Sequence, residues 1–332
     1  MTRQTYRKII VTPELIEKLN PDNQKMVARF LKEKAIRTSQ ATIKNYRSCA
    51  NIFFVWNFLY NDNKHFTEIK KLEFSDFFSF TTDELKWGSA RNNGMRSFLS
   101  SLSIFIEKFL DSDYPNFRNI VLKTIESVPK EFRREKTILS DEQVEGLLKH
   151  LSETDTQKAC WVALAIYSGS RFAEILRFTT DLLDENNTAF GDLFLETKVK
   201  IKTKGRGKEG KMLFKYILKD KFLPYYLKWI DERKIILEKN NLSHNNLFIK
   251  ESNGKPATDG TIRSWIKGIE SYLGVDFYPH CLRHFLVTEL SKKKIPIMLI
   301  KDLIGWSSIE MVGLYDDTTS KDKVWSELDN LK

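Results

Sequence analysis

The sequence predicts a mostly α-helical protein with a small antiparallel β-sheet, divided into two domains. Three observations predict this fold class. Apolar residues recur at helical spacing along most of the 332 residues, and the period changes to two between about residues 190 and 218. A charged, proline-containing stretch at 127–136 separates two helical regions and is predicted to be a linker. A chain of this length usually forms more than one core, so two domains are expected.

The composition is that of a packed protein with an excess of positive charge. Hydrophobic residues make up 41% of the chain and the formal net charge is +10, which suggests a polyanionic partner but fits a generic basic protein equally well. No stretch approaches the roughly 20 apolar residues that span a bilayer, and the N-terminus carries no signal-peptide pattern. The three cysteines form neither a disulfide framework nor a zinc pattern, so we expect reduced, buried thiols in a cytoplasmic protein without a membrane partner.

A helical bundle is predicted for residues 21–126, after a short lead-in at 1–20. Ser39 has the character of an N-cap for a long helix that ends near Tyr60, with a run of phenylalanines on its apolar side. The helices predicted in this region are 25–35, 39–60, 75–85, 89–110 and 117–125.

Four basic residues in the bundle are candidates for DNA contacts: Lys44, Arg47, Arg91 and Arg96. They can be phosphate ligands in or beside the major groove, or they can be ordinary solvated helix positions. The sequence leaves these two interpretations open.

A second domain is predicted for residues 137–320. It begins with a capping box in which Ser140 is the N-cap and Gln143 its partner. A strongly apolar helix is expected from about residue 155 to Ser168, and Gly169 ends it. A further helix is predicted from Arg171 to Phe178.

The following segment is predicted to form strands. Apolar residues there alternate with polar ones, at Phe194, Val199, Ile201, Met212, Phe214, Tyr216 and Leu218. The stretch 198–205 is typical of a strand with a lysine-bearing face, and 205–210 of a glycine-rich turn. Helices are expected again at 221–238, 258–273, 280–292, 296–304 and 321–331.

The residue types near the C-terminus suggest phosphate chemistry. His280 and Arg283 lie three residues apart, so a helix places both on one face, and Tyr315 follows after a short helical segment. An arginine can grip phosphate oxygens while a tyrosine attacks the phosphorus. His280 and His284 also have the spacing of a zinc pair, but no third ligand lies nearby in the sequence, so no metal is predicted.

Four motifs in order resemble those of the tyrosine recombinases, the phage-integrase family. Residues 168–176 resemble its first arginine motif, 280–284 its histidine–arginine motif, and 303–308 with Tyr315 its final motif and nucleophile. The resemblance covers about residues 137–320. It implies a simple two-domain protein with an N-terminal helical core-binding (SAM-like) domain and a C-terminal tyrosine-recombinase catalytic domain.

The resemblance also implies roles for individual residues. Tyr315 would be the nucleophile, Arg171 and Arg283 would hold the phosphate, and His280 would help remove the phenol proton. Lys204 best fits the lysine that protonates the leaving 5′-oxygen, with Lys202 and Lys208 as alternatives that otherwise contact DNA. Trp306 stands where the family more often has histidine, so it can donate a hydrogen bond but cannot transfer a proton. Glu174 resembles the acidic residue that orients the site.

The function implied is site-specific DNA recombination through a 3′-phosphotyrosyl intermediate, without metal, ATP or another cofactor. We expect the integration, excision or transposition of a mobile element in the prokaryotic nucleoid. The expected partners are double-stranded recombination sites, a homotetramer on DNA and, where direction is controlled, an accessory directionality factor. The helix at 321–332 would dock on a neighbouring protomer or on its own domain. The alternatives are a type IB-like topoisomerase and a catalytically inert DNA-binding regulator.

Overall fold

The computed structural model describes residues 10–121, 137–205, 210–306 and 308–315. Two compact units emerge: one contains the described residues up to 121, and the other contains those from 137 to 204 and from 211 onwards. The predicted linker at 127–136, the predicted helix at 321–331 and Lys208 lie outside the described residues. Within the described ranges, no helix is both long enough and apolar enough to cross a membrane.

The N-terminal unit is built from five α-helices around an aromatic core. The helices are α1 (Pro13–Glu17), α2 (Pro21–Ala35), α3 (Gln40–Tyr60), α4 (Lys71–Asp83) and α5 (Ser89–Phe109), with a 3₁₀ turn at Phe66–Glu68. Phe53 lies at the centre, with its ring centroid 4.9 Å from that of Phe77 and 5.7 Å from that of Phe74. Such ring pairs add to the free energy gained by burying apolar area.

The capping side chains set where these helices begin. The Ser39 hydroxyl accepts a hydrogen bond from the Thr42 amide, which confirms the predicted start of α3. The predicted start of α2 at residue 25 is wrong, because Asn20 caps the helix and Pro21 occupies its first turn. The predicted helix at 117–125 is also wrong over 117–120, where Asn119 instead bonds through its side chain to Ser100 and to the Val121 amide.

The C-terminal unit is mainly helical, and a buried helix lies at its centre. Its helices are α6 (Asp141–Thr154), α7 (Thr156–Ser168), α8 (Phe172–Ile175), α9 (Lys219–Lys239), α10 (Asp259–Leu273), α11 (Pro279–Lys292), α12 (Ile297–Ile304) and α13 (Glu310–Tyr315), with a 3₁₀ turn at Thr180–Leu182. Helix α7 packs against α6, α9 and α11, and nearly all of its side chains are buried. The capping box predicted for Ser140 and Gln143 is present. Cys160 and Cys281 are buried, Cys49 is half-buried, and all three are free thiols.

Two small antiparallel sheets lie in this unit. One has the order β1 (Thr188–Ala189), β2 (Phe194–Glu196), β5 (Tyr216–Leu218), and the other pairs β3 (Ile201–Thr203) with β4 (Lys211–Leu213). The lysines flanking β3 are more exposed than Ile201 and Thr203, as the lysine-bearing face requires.

The predicted inward face of this segment is partly wrong. Val199, Met212 and Phe214 are exposed, whereas Lys215 and Ile217 are buried. From residue 211 to residue 218 the more buried positions are Leu213, Lys215 and Ile217, so the inward face lies one residue away from the predicted one in both β4 and β5. Because side chains alternate across a strand, such a shift by one residue exchanges the buried and exposed sets.

The helix predicted from Arg171 to Phe178 is shorter than expected. Only Phe172–Ile175 is α-helical, and Arg171 occupies the N-cap position with extended backbone angles. The chain then turns so that the Phe178 carbonyl accepts from the Leu247 amide. This return to a distant segment ends the helix after one turn.

Candidate active site

Arg171 is held at the start of α8 by the carboxylate of Glu174. Oε2 of Glu174 lies 3.0 Å from the backbone nitrogen of Arg171, and Oε1 lies 2.8 Å from Nη1 of the same residue. Both contacts are possible because α8 begins at Phe172 and brings residue 174 back over the N-cap. The side chain of Arg171 is 21% exposed, so its guanidinium is partly accessible.

Gly169 joins the two arginine-bearing segments. It has φ +54°, which allows the chain to turn sharply after α7 and to present its carbonyl oxygen to Nη1 of Arg283. A Cβ at this position would collide with side-chain atoms of Ile304 and lie 3.0 Å from one of Leu286. The backbone angle therefore favours glycine here, and any side chain would have to displace the ends of Ile304 and Leu286.

Arg283 lies in the interior of the C-terminal unit. Arg283 is fully buried, and its Cζ lies 4.7 Å from the centroid of the Trp306 ring. A guanidinium over an indole face is favourably placed for a cation–π interaction. Trp306 itself is buried in a small apolar cluster with Val287 and Val312, so α11, the end of α12 and α13 together fix the arginine.

A buried ion pair that the sequence did not reveal lies behind Arg171. Nζ of Lys215 is 3.0 Å from Oε2 of Glu174, and the two side chains are 1% and 2% exposed. Burial alone would raise the pKa of Glu174, but Lys215 and the hydrogen bonds from Arg171 outweigh it and lower the pKa to about 2. Burial lowers the pKa of Lys215, and the carboxylate opposes that shift.

His280 lies in the first turn of α11 and remains exposed at one edge. Partial burial lowers its pKa, and four nearby positive or titratable side chains lower it further: Arg283, Arg171, His284 and Lys204. The imidazole is therefore neutral near pH 7, the form that can accept a proton. His284, the other member of the zinc-like spacing, is buried, and among the described residues no group of three potential metal ligands comes together.

Lys204 and Lys202 lie at the end of β3. Lys204 is exposed immediately after the strand, and its charge acts on His280. Lys202 is half-buried, and its carbonyl oxygen accepts from the Arg177 guanidinium. Lys208, the third candidate for the same role, falls in the part of the turn outside the described residues.

Tyr315 is the last residue of α13, a helix that packs against α11 and α12. Val312 of this helix is buried beside Trp306. The structure describes Tyr315 by its backbone alone, so the placement of its phenol stays a prediction. The helix that ends at Tyr315 nevertheless contacts α11, which carries His280 and Arg283, and α12, which Trp306 follows closely.

The four predicted DNA contacts of the N-terminal unit lie on two helices. Lys44 and Arg47 are exposed on α3, Arg91 is exposed on α5, and Arg96 is half-buried on the same helix. The Arg91 guanidinium lies 4.0 Å from the centroid of the Trp87 ring. Their proposed role in DNA binding stays a prediction.

Taken together, the C-terminal unit gathers predicted site residues from three separate segments. Arg171 and Glu174 come from α8, Lys204 from β3, and His280 with Arg283 from α11. The excess of cations around a water-accessible histidine is suited to a substrate that carries negative charge. Lys215 escaped sequence analysis because one more lysine in a lysine-rich hairpin gives no distinguishing signal. Its position on the same face as buried Ile217 could be read only once the register was known.

Comparison with known proteins identifies the family. Residues 137–322 match the sequence model of the phage integrase family, so the chain belongs to that family. The SPbeta prophage-derived recombinase-like protein YomM of Bacillus subtilis (strain 168) is 26% identical over 308 residues, which is 89% of this chain and 86% of that protein. A tyrosine recombinase of Thermosipho africanus (strain TCF52B) is 23% identical over 292 residues, 86% of this chain and 92% of that protein.

Solved structures show the same fold. The Tn1549 transposon integrase (residues 82–397) in complex with circular intermediate DNA has a TM-score of 0.65 at 16% identity, covering 92% of this chain and 98% of that one. A lambda integrase tetramer bound to a Holliday junction has a TM-score of 0.62 at 18% identity, covering 89% and 77%. The predicted fold class and the resemblance to tyrosine recombinases are confirmed, and the class of activity is the cleavage and rejoining of DNA.

Proposed function

We propose that this chain recombines specific DNA sites with Tyr315 as its nucleophile. The phenol oxygen attacks the scissile phosphorus, the bond from phosphorus to the 5′-oxygen breaks, and a 3′-phosphotyrosyl link replaces it. A 5′-hydroxyl from a partner strand then attacks the same phosphorus and releases the tyrosine. The covalent link conserves the phosphodiester energy, so the cycle consumes no ATP.

Arg171 and Arg283 stabilise the charge that builds on the non-bridging oxygens during both steps. Guanidinium groups are suited to this role because they stay protonated and donate two parallel hydrogen bonds. The observation that carries the proposal is the junction at Gly169, which ties the segment of Arg171 to the guanidinium of Arg283. Loss of one such donor costs about 10²–10³ in rate in other enzymes.

Proton transfer is divided between two residues. Neutral His280 accepts the proton that leaves the phenol of Tyr315, since its lowered pKa keeps the ring unprotonated near pH 7. Lys204 donates a proton to the departing 5′-oxygen, with Lys202 and Lys208 as alternative donors. Trp306 packs against Arg283 and keeps its guanidinium in place.

The biological setting we propose is a mobile element. One relative is described as prophage-derived and one structural neighbour is a transposon integrase, both in keeping with integration or excision. We further propose a homotetramer on two double-stranded sites, by analogy with the lambda integrase tetramer, assisted by a directionality factor in the prokaryotic nucleoid. The four basic residues of α3 and α5 would hold the DNA backbone: Lys44, Arg47, Arg91 and Arg96.

The test is to trap the covalent intermediate. The chain is incubated with DNA that flanks its own gene, and adducts that survive denaturation are digested and mapped. We expect an adduct on Tyr315 at defined phosphates from the wild-type chain and none from Tyr315→Phe, which should still bind the DNA.

The same material separates the alternative functions. An inert regulator forms no adduct, whereas a topoisomerase relaxes any supercoiled plasmid without exchanging two sites. Exchange of two mapped sites between differently labelled DNAs would therefore support recombination. Relaxation without exchange would contradict it.

A further inference from the structure

No role has been assigned to Lys215 so far, and its environment is unusual for a lysine. It follows β4 on the chain segment that joins the two sheets, and its side chain is 1% exposed. Two backbone hydrogen bonds with Thr197 fix the position: the Lys215 amide donates to Oγ1 of Thr197, and the Lys215 carbonyl accepts from the Thr197 amide. These bonds fix the backbone at Lys215, and its buried side chain ends beside Glu174 instead of at the surface.

Within the part of the chain that the structure describes, the ammonium group has one ion-pair partner. Nζ lies 3.0 Å from Oε2 of Glu174, and among the described residues it makes no well-aligned hydrogen bond. An ammonium placed in such a dry position costs several kcal/mol, and a buried ion pair is often no more stable than apolar side chains of the same volume. Stability by itself thus gives little reason for a lysine at this position.

The charge balance of the site supplies a reason. Glu174 is needed to orient Arg171, because its two oxygens bind the backbone amide and the guanidinium of that residue. A carboxylate this close also cancels one positive charge beside the phosphate site. The positive charge of Lys215 offsets the negative charge of Glu174, so the positive charges of Arg171 and Arg283 remain available to the phosphate. Attack on a phosphodiester produces a transition state with about two negative charges over its oxygens.

We propose that Lys215 is a positioning residue that offsets the charge of Glu174. The carboxylate can then orient Arg171 without reducing the electrostatic stabilisation of the transition state. This inference rests on the proposed cleavage reaction. Lys215 acts through Glu174 and Arg171 and contacts neither the DNA nor the nucleophile.

The test compares four chains on two substrates. The chains are the wild type, Lys215→Met, the double variant Lys215→Met with Glu174→Gln, and Lys219→Met as a matched control. Lys219, the first residue of α9, pairs with exposed Asp192 at 2.7 Å and has no place in the proposed site. The substrates are a duplex with the mapped cleavage site and the same duplex with a methylphosphonate at the scissile position, which removes one negative charge.

Single-turnover formation of the covalent adduct is measured at saturating DNA, with DNA affinity and thermal unfolding followed separately. On the phosphodiester, we expect Lys215→Met to be slower by about 10- to 100-fold with unchanged affinity, because the site loses a charge used in the transition state. The double variant removes a cation and an anion together, and its glutamine keeps one oxygen that can accept from Arg171. It should therefore recover part of that rate. Lys219→Met should react as the wild type does.

The methylphosphonate distinguishes charge compensation from a purely structural role. Its transition state carries one negative charge fewer, so the deficit of Lys215→Met should shrink clearly on this substrate. An equal deficit on both substrates, or a double variant no faster than Lys215→Met, would overturn the proposal. If Lys215→Met does not fold, the double variant decides: a rate within about tenfold of the wild type supports charge compensation, and a loss beyond about 100-fold refutes it.

Failure of the proposed function gives a different pattern. If the wild-type chain forms no adduct, the cleavage reaction is wrong and this inference falls with it. If Tyr315→Phe also forms an adduct, only the nucleophile is wrong, and the comparison of rates at Lys215 still stands.

Discussion

Gly169 adopts a left-handed conformation at the point where α7 ends and the segment of Arg171 begins. Its carbonyl oxygen accepts from Arg283, and its missing side chain leaves room for Ile304 and Leu286. A single residue thus couples helix termination, core packing and the approach of the two arginines.

Replacing Gly169 by alanine should harm both stability and cleavage. The left-handed backbone is unfavourable for alanine by about 1–2 kcal/mol, and the added methyl group must displace Ile304. Thermal unfolding and adduct formation measure the two effects. Gly268→Ala is the matched control, because a Cβ on that glycine of α10 meets no atom within 4 Å. Equal behaviour of the two variants would contradict this account.

The pKa of His280 predicts the pH dependence of cleavage. A lowered pKa keeps the ring neutral below the usual histidine value of about 6.5, so the rate should begin to fall only at lower pH than that. Glu174, with a pKa of about 2, does not titrate in this range. A pH–rate profile of single-turnover cleavage measures the acid limb, and His280→Gln should remove it along with most of the activity. A limb centred above pH 7 would argue against His280 as the base.

The helices and strands depend on local signals to very different degrees. Helix α6 begins where its capping box predicts, because Ser140 and Gln143 satisfy each other's backbone amides within four residues. Helix α8, in contrast, ends early because Phe178 bonds to a segment some seventy residues further along the chain. Local capping chemistry therefore fixes the start of α6, whereas a contact with a distant segment limits the length of α8.

The capping box of α6 supports a prediction at this scale. Ser140→Ala removes the acceptor of the Gln143 amide and should destabilise the C-terminal unit by about 1 kcal/mol. Chemical denaturation followed by a signal from that unit measures the loss. Ser152→Ala is the control, since this hydroxyl of the same helix donates to the Lys149 carbonyl in an exposed position. A loss as large for Ser152→Ala would mean that capping is not the cause.

The β-segment shows how a reliable pattern can mislead. The apolar residues of this segment alternate as the sequence predicts, but the structure buries the residues between them. Met212 and Phe214 are exposed, whereas Lys215 and Ile217 are buried. Hydrophobicity alone would never place a lysine inside, so its role became visible only with the register.

At the scale of the whole molecule, the two units divide the proposed work. The C-terminal unit contains all the described candidates for chemistry, and the N-terminal unit contributes basic helix surfaces. The net charge of +10 suits binding to a polyanion, which releases counterions and makes affinity strongly salt-dependent.

This division predicts how the N-terminal unit affects binding. Lys44→Ala should weaken DNA binding and lower the slope of log affinity against log salt by about 1, because one phosphate contact is lost. Fluorescence anisotropy over a series of salt concentrations measures the slope. Lys25→Ala, at an exposed lysine paired with Asp22 on α2, should leave it unchanged. An unchanged slope for Lys44→Ala would assign Lys44 to ordinary solvated surface.

The sequence by itself determined the fold class, most helices and the family, because these depend on periodicity, capping residues and short motifs that a linear pattern carries. It also supplied Arg171, Arg283 and His280, whose spacing and order are distinctive. Only the tertiary structure decided how those residues come together. It shows the turn at Gly169 whose carbonyl accepts from Arg283, the burial of Arg283 against Trp306, and the ion pair of Lys215 with Glu174. These contacts join residues far apart in the chain, and a buried charge is tolerated only where a partner from another element neutralises it.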